Sequence, residues 1–224
     1  MTPPCAGVTG LVLAKAPVAG RVKTRLAASV GPAAAARLAA AALLDTLDAM
    51  AAAFGPARCR LALNGRLEDA VGGEDLLAAL AGWTVVPQHG DTLGARIAHA
   101  CAGAGGPVVQ VGMDTPQVGV RLLAEVAAAL DETDAVLGPA VDGGWWVLGL
   151  REPAHAAAIA DVPMSTPTTG TDTRDALLAA GLTVATAPRL RDIDHLDDLL
   201  AVRRLAPAAR FAAPGLVDLP GGGS

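Results

Sequence analysis

The stretch Pro107–Gly112 (PVVQVG) constrains this chain more than any other feature, because it reads as a continuous apolar strand. A strand with one face in water alternates apolar and polar residues, whereas a strand covered on both faces of a parallel sheet does not. Parallel strands need long crossovers between them, usually helices. The rest of the chain supplies that alternation. Val8–Ala14 reads as a buried strand and is followed by a loop rich in Pro, Gly and cations. A long helix is predicted from Gly31-Pro32 to about Phe54, with Pro at the first helical position, where its missing N–H costs nothing. Strands follow at Cys59–Leu63 and Thr84–Pro87, with helices at Glu74–Ala81 and Thr92–Ala104. Beyond the constraining strand come a helix at Pro116–Leu130 and strands at Ala135–Pro139 and Trp145–Leu150, which flank the turn Asp142-Gly143-Gly144. Weaker helices near Pro153–Ala160 and Thr171–Ala180, a strand at Leu182–Ala187 and a helix from about Asp194 to Leu205 complete the pattern. The fold class expected is α/β: a three-layer α/β/α sandwich with a mainly parallel sheet. One domain is predicted over residues 1–205, and the Ala- and Pro-rich tail 206–224 is expected to be poorly ordered.

Charge narrows the function classes. Seventeen Lys and Arg against 22 Asp and Glu give a formal net charge of −5, and the pI is about 5.3. That balance argues against a nucleic-acid face, although a small anion needs only a local cationic loop. Three widely spaced cysteines, Cys5, Cys59 and Cys101, offer neither a disulfide framework nor a CxxC zinc pair, which fits a reducing cytoplasm. The start Met1-Thr2-Pro3-Pro4 lacks the pattern of a signal peptide, and the Ala-rich stretch Pro32–Phe54 is broken by Arg37, Asp45 and Asp48, so no membrane insertion is expected. Aromatics are only 2% of the chain, so small aliphatics must fill the core.

In open α/β sheets ligands bind beyond the carboxyl ends of the strands, which directs attention to the loops there. The first such loop places Lys15, Arg21, Lys23 and Arg25 around Pro17 and Gly20. Sharp turns with free N–H groups, point charges and planar guanidinium forks suit phosphate oxygens. Neither a Walker A loop nor GxGxxG is present, so the nucleotide class stays open. Asp114, in Gly112-Met113-Asp114-Thr115-Pro116, stands where the buried strand ends. It either meets a hard cation on phosphate oxygens or caps the helix predicted at Pro116. Asp192 and Asp194 follow the last strand, and Asp194 with Asp197 also reads as a helix cap.

Asp142-Gly143-Gly144 is a hairpin signal. Alternatively, its glycines admit a ligand while Asp142 meets a sugar hydroxyl or acts as a base. Trp145 and Trp146 should point to opposite faces, one into the core and one into a pocket. Ser165–Thr173, with Thr169, Gly170 and Asp172, combines turn chemistry with a polar wall for a hydroxylated substrate.

Taken in order, the motifs resemble a known family. They are Lys15-Ala16-Pro17…Gly20-Arg21-Val22-Lys23-Thr24-Arg25-Leu26, Gly90-Asp91-Thr92-Leu93-Gly94-Ala95-Arg96, Gly112–Pro116, Asp142–Leu150, Ser165–Thr173 and Asp192-Ile193-Asp194. From about Leu11 to Leu200 the chain is similar to GT-A-like nucleotide-diphospho-sugar transferases of the radical-SAM/selenodomain-associated, arsenosugar-biosynthesis type. That family is related in fold to the molybdenum-cofactor and 2-phospholactate nucleotidyltransferases. The resemblance implies that Lys15, Gly20, Arg21, Lys23 and Arg25, with Asp91 and Gly94, hold nucleotide. It implies Asp114 as a ligand of Mg²⁺ or Mn²⁺, with Asp192 or Asp194 as further ligands; from the residues themselves, Asp142 and Lys23 are the catalytic candidates. Gly143, Gly144, Trp145, Thr169, Gly170 and Asp172 would contact substrate. The chain departs from the family where Trp145 and Trp146 replace an expected Tyr, and where His195 stands for the Thr of DIDTxxDL.

The function implied is transfer of a sugar from a nucleotide diphosphate sugar to a small acceptor. A nucleotidyltransferase releasing pyrophosphate is the alternative, and a non-catalytic nucleotide-binding protein is a third reading.

Overall fold

The structure, a computed structural model, describes residues 3–217. Seven strands form one sheet in the order β3-β2-β1-β4-β6-β5-β7. They are β1 (Thr9–Lys15), β2 (Cys59–Asn64), β3 (Thr84–Pro87), β4 (Val108–Val111), β5 (Ala135–Pro139), β6 (Trp145–Leu150) and β7 (Val184–Thr186). β1 is paired in parallel with β2 and β4, β2 with β3, and β5 with β7, while β6 runs antiparallel to both β4 and β5. The expected mixed α/β architecture is therefore present, with the predicted hairpin as its antiparallel element.

Helices cover both faces. On one side α2 (Pro32–Phe54), α3 (Gly73–Ala79) and α5 (Val120–Ala129) bury Leu43, Met50, Leu76 and Leu123 against Val12, Leu61 and Val109. On the other, α4 (Leu93–Ala102), a 3-10 segment at Pro153–Ile159 and α6 (Thr169–Ala179) bury Ile97, Ile159 and Leu177 against Leu11, Leu13 and Leu148. Burying such side chains is worth roughly 1.5–3 kcal/mol each, which is how a core with few aromatics holds together. No helix among the described residues is long and apolar enough to cross a membrane.

Three expectations need correction. The loop after β1 holds a helix of its own, α1 (Thr24–Val30), ahead of α2. The helix expected at Pro116 opens only at Val120, with Gly119 at its N-cap, so Asp114 and Thr115 do not cap it. The tail is docked as far as Val217: Phe211 is fully buried against α2 and α7 (Leu196–Leu205), and Asp45 on α2 accepts hydrogen bonds from the backbone N–H groups of Arg210 and Phe211. The remainder of the predicted tail, 218–224, lies outside the described residues.

Candidate active site

β1 has β2 on one side and β4 on the other, so strand order reverses there, and a crevice opens beyond the carboxyl ends. The structure has an open cleft of ≈ 740 Å³ at that place, lined by residues from the ends of β1 and β4, the β5–β6 turn, and the loops at 163–169 and 192–194. Among the predicted site residues, Lys15, Arg21, Lys23, Arg25, Asp114, Asp142, Gly144, Trp145, Thr169, Asp192 and Asp194 line it. Gly20, Asp91, Gly94, Gly143, Gly170 and Asp172 do not.

One wall is built by charge. Lys23, the residue before α1, has φ +49, an uncommon conformation for a side-chain-bearing residue, and its side chain is 7% exposed. Its ammonium reaches Asp114 Oδ1 at 2.5 Å and Asp194 Oδ1 at 3.4 Å, and donates to the Ile193 carbonyl. Burial works against the charged ammonium, but Asp114 and Asp194 outweigh it and hold the Lys23 pKa above the usual lysine value. An ammonium has three donors, and these contacts engage all three. Lys23 is thus a positioning residue in this state, tying the first loop to the end of β4 and to the 192–194 loop. Asp194 is similarly engaged, with Oδ1 on Lys23 and Oδ2 on Arg25 at 3.0 Å. The helix cap predicted at Asp194 falls one residue later: His195 caps α7 and Asp198 closes the capping box, which frees the Asp194 carboxylate for the cations.

Asp192 differs from both. Burial first, then the nearby charges of Asp142 and Asp194, push its carboxyl up to about 6, with Lys23 opposing. Uncompensated negative charge of this kind is what a cation bound with phosphate would offset. No group of three or more His, Cys, Asp or Glu among the described residues is arranged to hold a metal. The chain offers instead one or two carboxylates, the number that Mg²⁺ uses beside phosphate and water. Asp114, 47% exposed, gives Lys23 only Oδ1. Asp114 and Asp192 are thus each less engaged by the protein's own cations than Asp194.

The opposite wall is built by close backbone approach. Gly143 has φ +93, and a Cβ there would overlap the carbonyl oxygen of Pro167. A Cβ on Gly170 would lie 2.6 Å from the Gly144 carbonyl oxygen, and the Gly170 N–H donates to the Gly143 carbonyl at 2.8 Å. These two glycines admit the protein's own loop, and neither lines the cleft where substrate contact is expected of them. Gly94 is likewise structural, because a Cβ would meet the Ile159 carbonyl oxygen at 2.5 Å. Asp172 accepts from the Thr168 hydroxyl at 2.8 Å and stays outside the cleft. The Thr169 hydroxyl is engaged internally, donating to the Pro163 carbonyl at 3.0 Å and accepting from the Thr166 N–H at 3.0 Å. Trp145 and Trp146 do diverge: Trp145 packs toward the α4 layer and donates to Thr173 Oγ1 at 3.1 Å, while Trp146 packs toward the α2 layer and donates to the Pro188 carbonyl at 2.9 Å.

Gln88, Arg96 and Gln110 are among the polar cleft residues that the sequence does not single out as site residues. Gln88 Nε2 donates to the carbonyls of Ala14 and Ala62 at 3.0 and 2.9 Å, which fixes its amide at the strand ends. Gln110 carried a signal, being the one polar side chain in the otherwise apolar PVVQVG run. Burial pushes the thiols of Cys59 and Cys101 up to about 12, so neither is an activated nucleophile.

Seven mostly parallel strands with a cleft at this position define the fold of the nucleotide-diphospho-sugar transferases. A crystal structure of a candidate nucleotide-diphospho-sugar transferase from Desulfovibrio desulfuricans G20 matches with a TM-score of 0.78 and 26% identity, covering 96% of this chain and 93% of that one. A profile of the family described as "Uncharacterized protein conserved in bacteria (DUF2064)" matches residues 43–166, more than half of the chain, and the chain belongs to that family. The 2-C-methyl-D-erythritol 4-phosphate cytidylyltransferase of Thermus thermophilus shares the fold at a TM-score of 0.54 and 19% identity, covering 90% of this chain and 99% of that one. CMP:2-keto-3-deoxy-manno-octonic acid synthetase, solved with CTP, does so at 0.56 and 11%, covering 90% and 98%. None of the curated proteins is similar enough in sequence to count as a match.

Proposed function

We propose that this chain is a cytoplasmic glycosyltransferase that moves a sugar from a nucleotide diphosphate sugar to a small acceptor. The observation that carries this reading is that one cleft brings the cations Lys15, Arg21 and Arg25 together with Asp114, Asp142 and Asp192 and with the indole of Trp145. Cations suit the diphosphate, and a partly exposed indole suits a sugar or base ring. The 26% identity to the Desulfovibrio desulfuricans protein over 96% of this chain supports sugar transfer in particular. The motif order supports the finer placement with the arsenosugar-biosynthesis type.

Arg21 and Arg25 would hold the departing diphosphate, adding positive charge where negative charge develops. Asp142, on the rim of the β5–β6 turn, would meet the acceptor hydroxyl, with its Oδ1 held by the Gly144 N–H at 2.8 Å. Asp114 and Asp192 would hold Mg²⁺ or Mn²⁺, which supplies Lewis-acid charge neutralisation when bound. Lys23 would keep Asp114 and Asp194 in register with the first loop.

The test is to incubate the chain with Mn²⁺ or Mg²⁺ and panels of nucleoside triphosphates and nucleotide sugars. Metal-dependent binding of a nucleotide sugar with slow release of nucleoside diphosphate is expected. Pyrophosphate release from a triphosphate, with a phosphorylated acceptor, would replace this reading with nucleotidyl transfer. Binding of a nucleotide without turnover in either panel would favour a non-catalytic role.

A further inference from the structure

Gln110 stands in β4 between Val109 and Val111, and its registered neighbours across the sheet are Leu11 and Leu148. It is 2% exposed, and its Oε1 has no hydrogen-bond partner. A buried carboxamide oxygen left unpaired in an apolar strand destabilises the fold, so its presence calls for another explanation. Its surroundings supply one. Gln110 lines the cleft together with Leu13 and Ile97, both buried, and with Trp145, which is partly exposed. Buried residues form a floor, not a rim, and beside Leu13 and Ile97 the Gln110 amide is the polar group of this part of it.

A carboxamide presents an acceptor and two donors without net charge, which matches a hydroxyl that both donates and accepts. The indole of Trp145, on the lining of the same cleft, offers apolar surface to the C–H face of a pyranose. The charged groups that suit phosphate, Lys15, Arg21 and Arg25, come from the first loop instead. We propose that Gln110 is a specificity-determining residue for the transferred unit: it hydrogen-bonds a ring hydroxyl of a neutral sugar carried on a nucleoside diphosphate, with Trp145 against the ring. This inference rests on the glycosyltransferase reading and adds the class of sugar and the residue that selects it.

Calorimetric titration of the wild-type chain, Gln110→Leu and Gln110→Met tests it, using UDP and GDP and their neutral hexose conjugates with Mn²⁺ present. In the wild type the matching conjugate should bind more tightly than its plain diphosphate. Both variants should keep the affinity for the plain diphosphate within about twofold and weaken the conjugate by about tenfold, the scale of one hydrogen bond. Their melting temperatures should rise by about 2–4 °C, because the orphaned amide is gone. Equal weakening of diphosphate and conjugate would overturn the proposal by placing Gln110 against the nucleotide. Equal wild-type affinity for the two, or a fall in melting temperature in both variants, would also overturn it, leaving the transferase reading intact. A wild-type chain that binds no nucleoside diphosphate would overturn the transferase reading itself, and this inference with it.

Discussion

The two walls of the cleft are held by different forces. The wall around Lys23 is joined by ion pairs that link residues about 170 positions apart in sequence, with Asp194 shared between Lys23 and Arg25. The wall around Gly143 is joined by backbone contact, with the Gly170 N–H on the Gly143 carbonyl and no room for a Cβ on either glycine. Coulombic contacts depend on salt, pH and any competing charge, so an incoming phosphate can rearrange the first wall. Steric contacts have no such dependence. The charged wall is therefore open to competing charge, while the glycine wall is fixed by packing. Among the described residues, the two side-chain-bearing ones with positive φ, Lys23 and Ser165, both line the cleft, one from each side. Strained backbone of this kind persists only where its surroundings over-determine it, and it clusters at functional sites.

The largest effect should come from the glycine wall. Gly143→Ala places a Cβ against the Pro167 carbonyl at φ +93 and should cost on the order of 3–5 kcal/mol in urea unfolding. Gly20→Ala, at φ +78 but with nothing within 4 Å, should cost only about 1–2 kcal/mol. Equal costs would show that backbone conformation, not close packing, holds that wall.

Next in size is Lys23→Met, which leaves Asp114 and Asp194 without their shared counter-charge. A fully buried pair broken in this way costs about 3–5 kcal/mol, and the partial exposure of both carboxylates lowers the expectation to about 2 kcal/mol. Adding Asp114→Asn should recover part of the loss in a double-mutant cycle, and strict additivity would sink the coupling.

The pH dependence of Asp192 gives a smaller and signed effect. Its folded carboxyl titrates near 6, above its unfolded value, so between about pH 4 and 6 the folded state binds more protons than the unfolded one. Stability from this group is therefore full at low pH and is lost as pH rises through 6. Asp192→Asn should match the wild type near pH 4 and exceed it in melting temperature at pH 7.5. The reverse trend would show that Asp192 is already compensated.

The smallest stability change belongs to Arg25→Gln. Arg25 is exposed, so its ion pair with Asp194 should contribute less than about 0.5 kcal/mol. Its effect should appear instead as a several-fold loss of nucleoside diphosphate affinity and a shallower salt dependence in the same titrations.

Local patterning was enough to read most of the fold. The long helix Pro32–Phe54 and the strands Thr84–Pro87, Ala135–Pro139 and Trp145–Leu150 stand where periodicity and punctuation place them. Those signals come from near neighbours. α1 was missed because Lys23 begins it in a left-handed conformation, without any of the usual capping side chains. The start of α5 was misplaced because Pro116 can open a helix, yet the chain first makes a turn in which the Val118 N–H donates to the Thr115 carbonyl. Phe211 holds its segment in place through contacts to α2, about 165 residues away, which no local pattern could show.

By itself the sequence determined a layered α/β chain whose unusual residues gather in the loops that follow strands, because residue periodicity and turn chemistry act over a few positions. Only the tertiary structure decided what those residues do there. It engaged Lys23 with carboxylates from two distant loops, gave Gly143 and Gly170 to a contact within the protein, and left the Gln110 Oε1 unpaired in a residue of the cleft floor. The physical reason is that a side chain's partners, and hence its charge state and freedom to meet a ligand, are set by which strands lie side by side, and strand order is a property of the whole sheet.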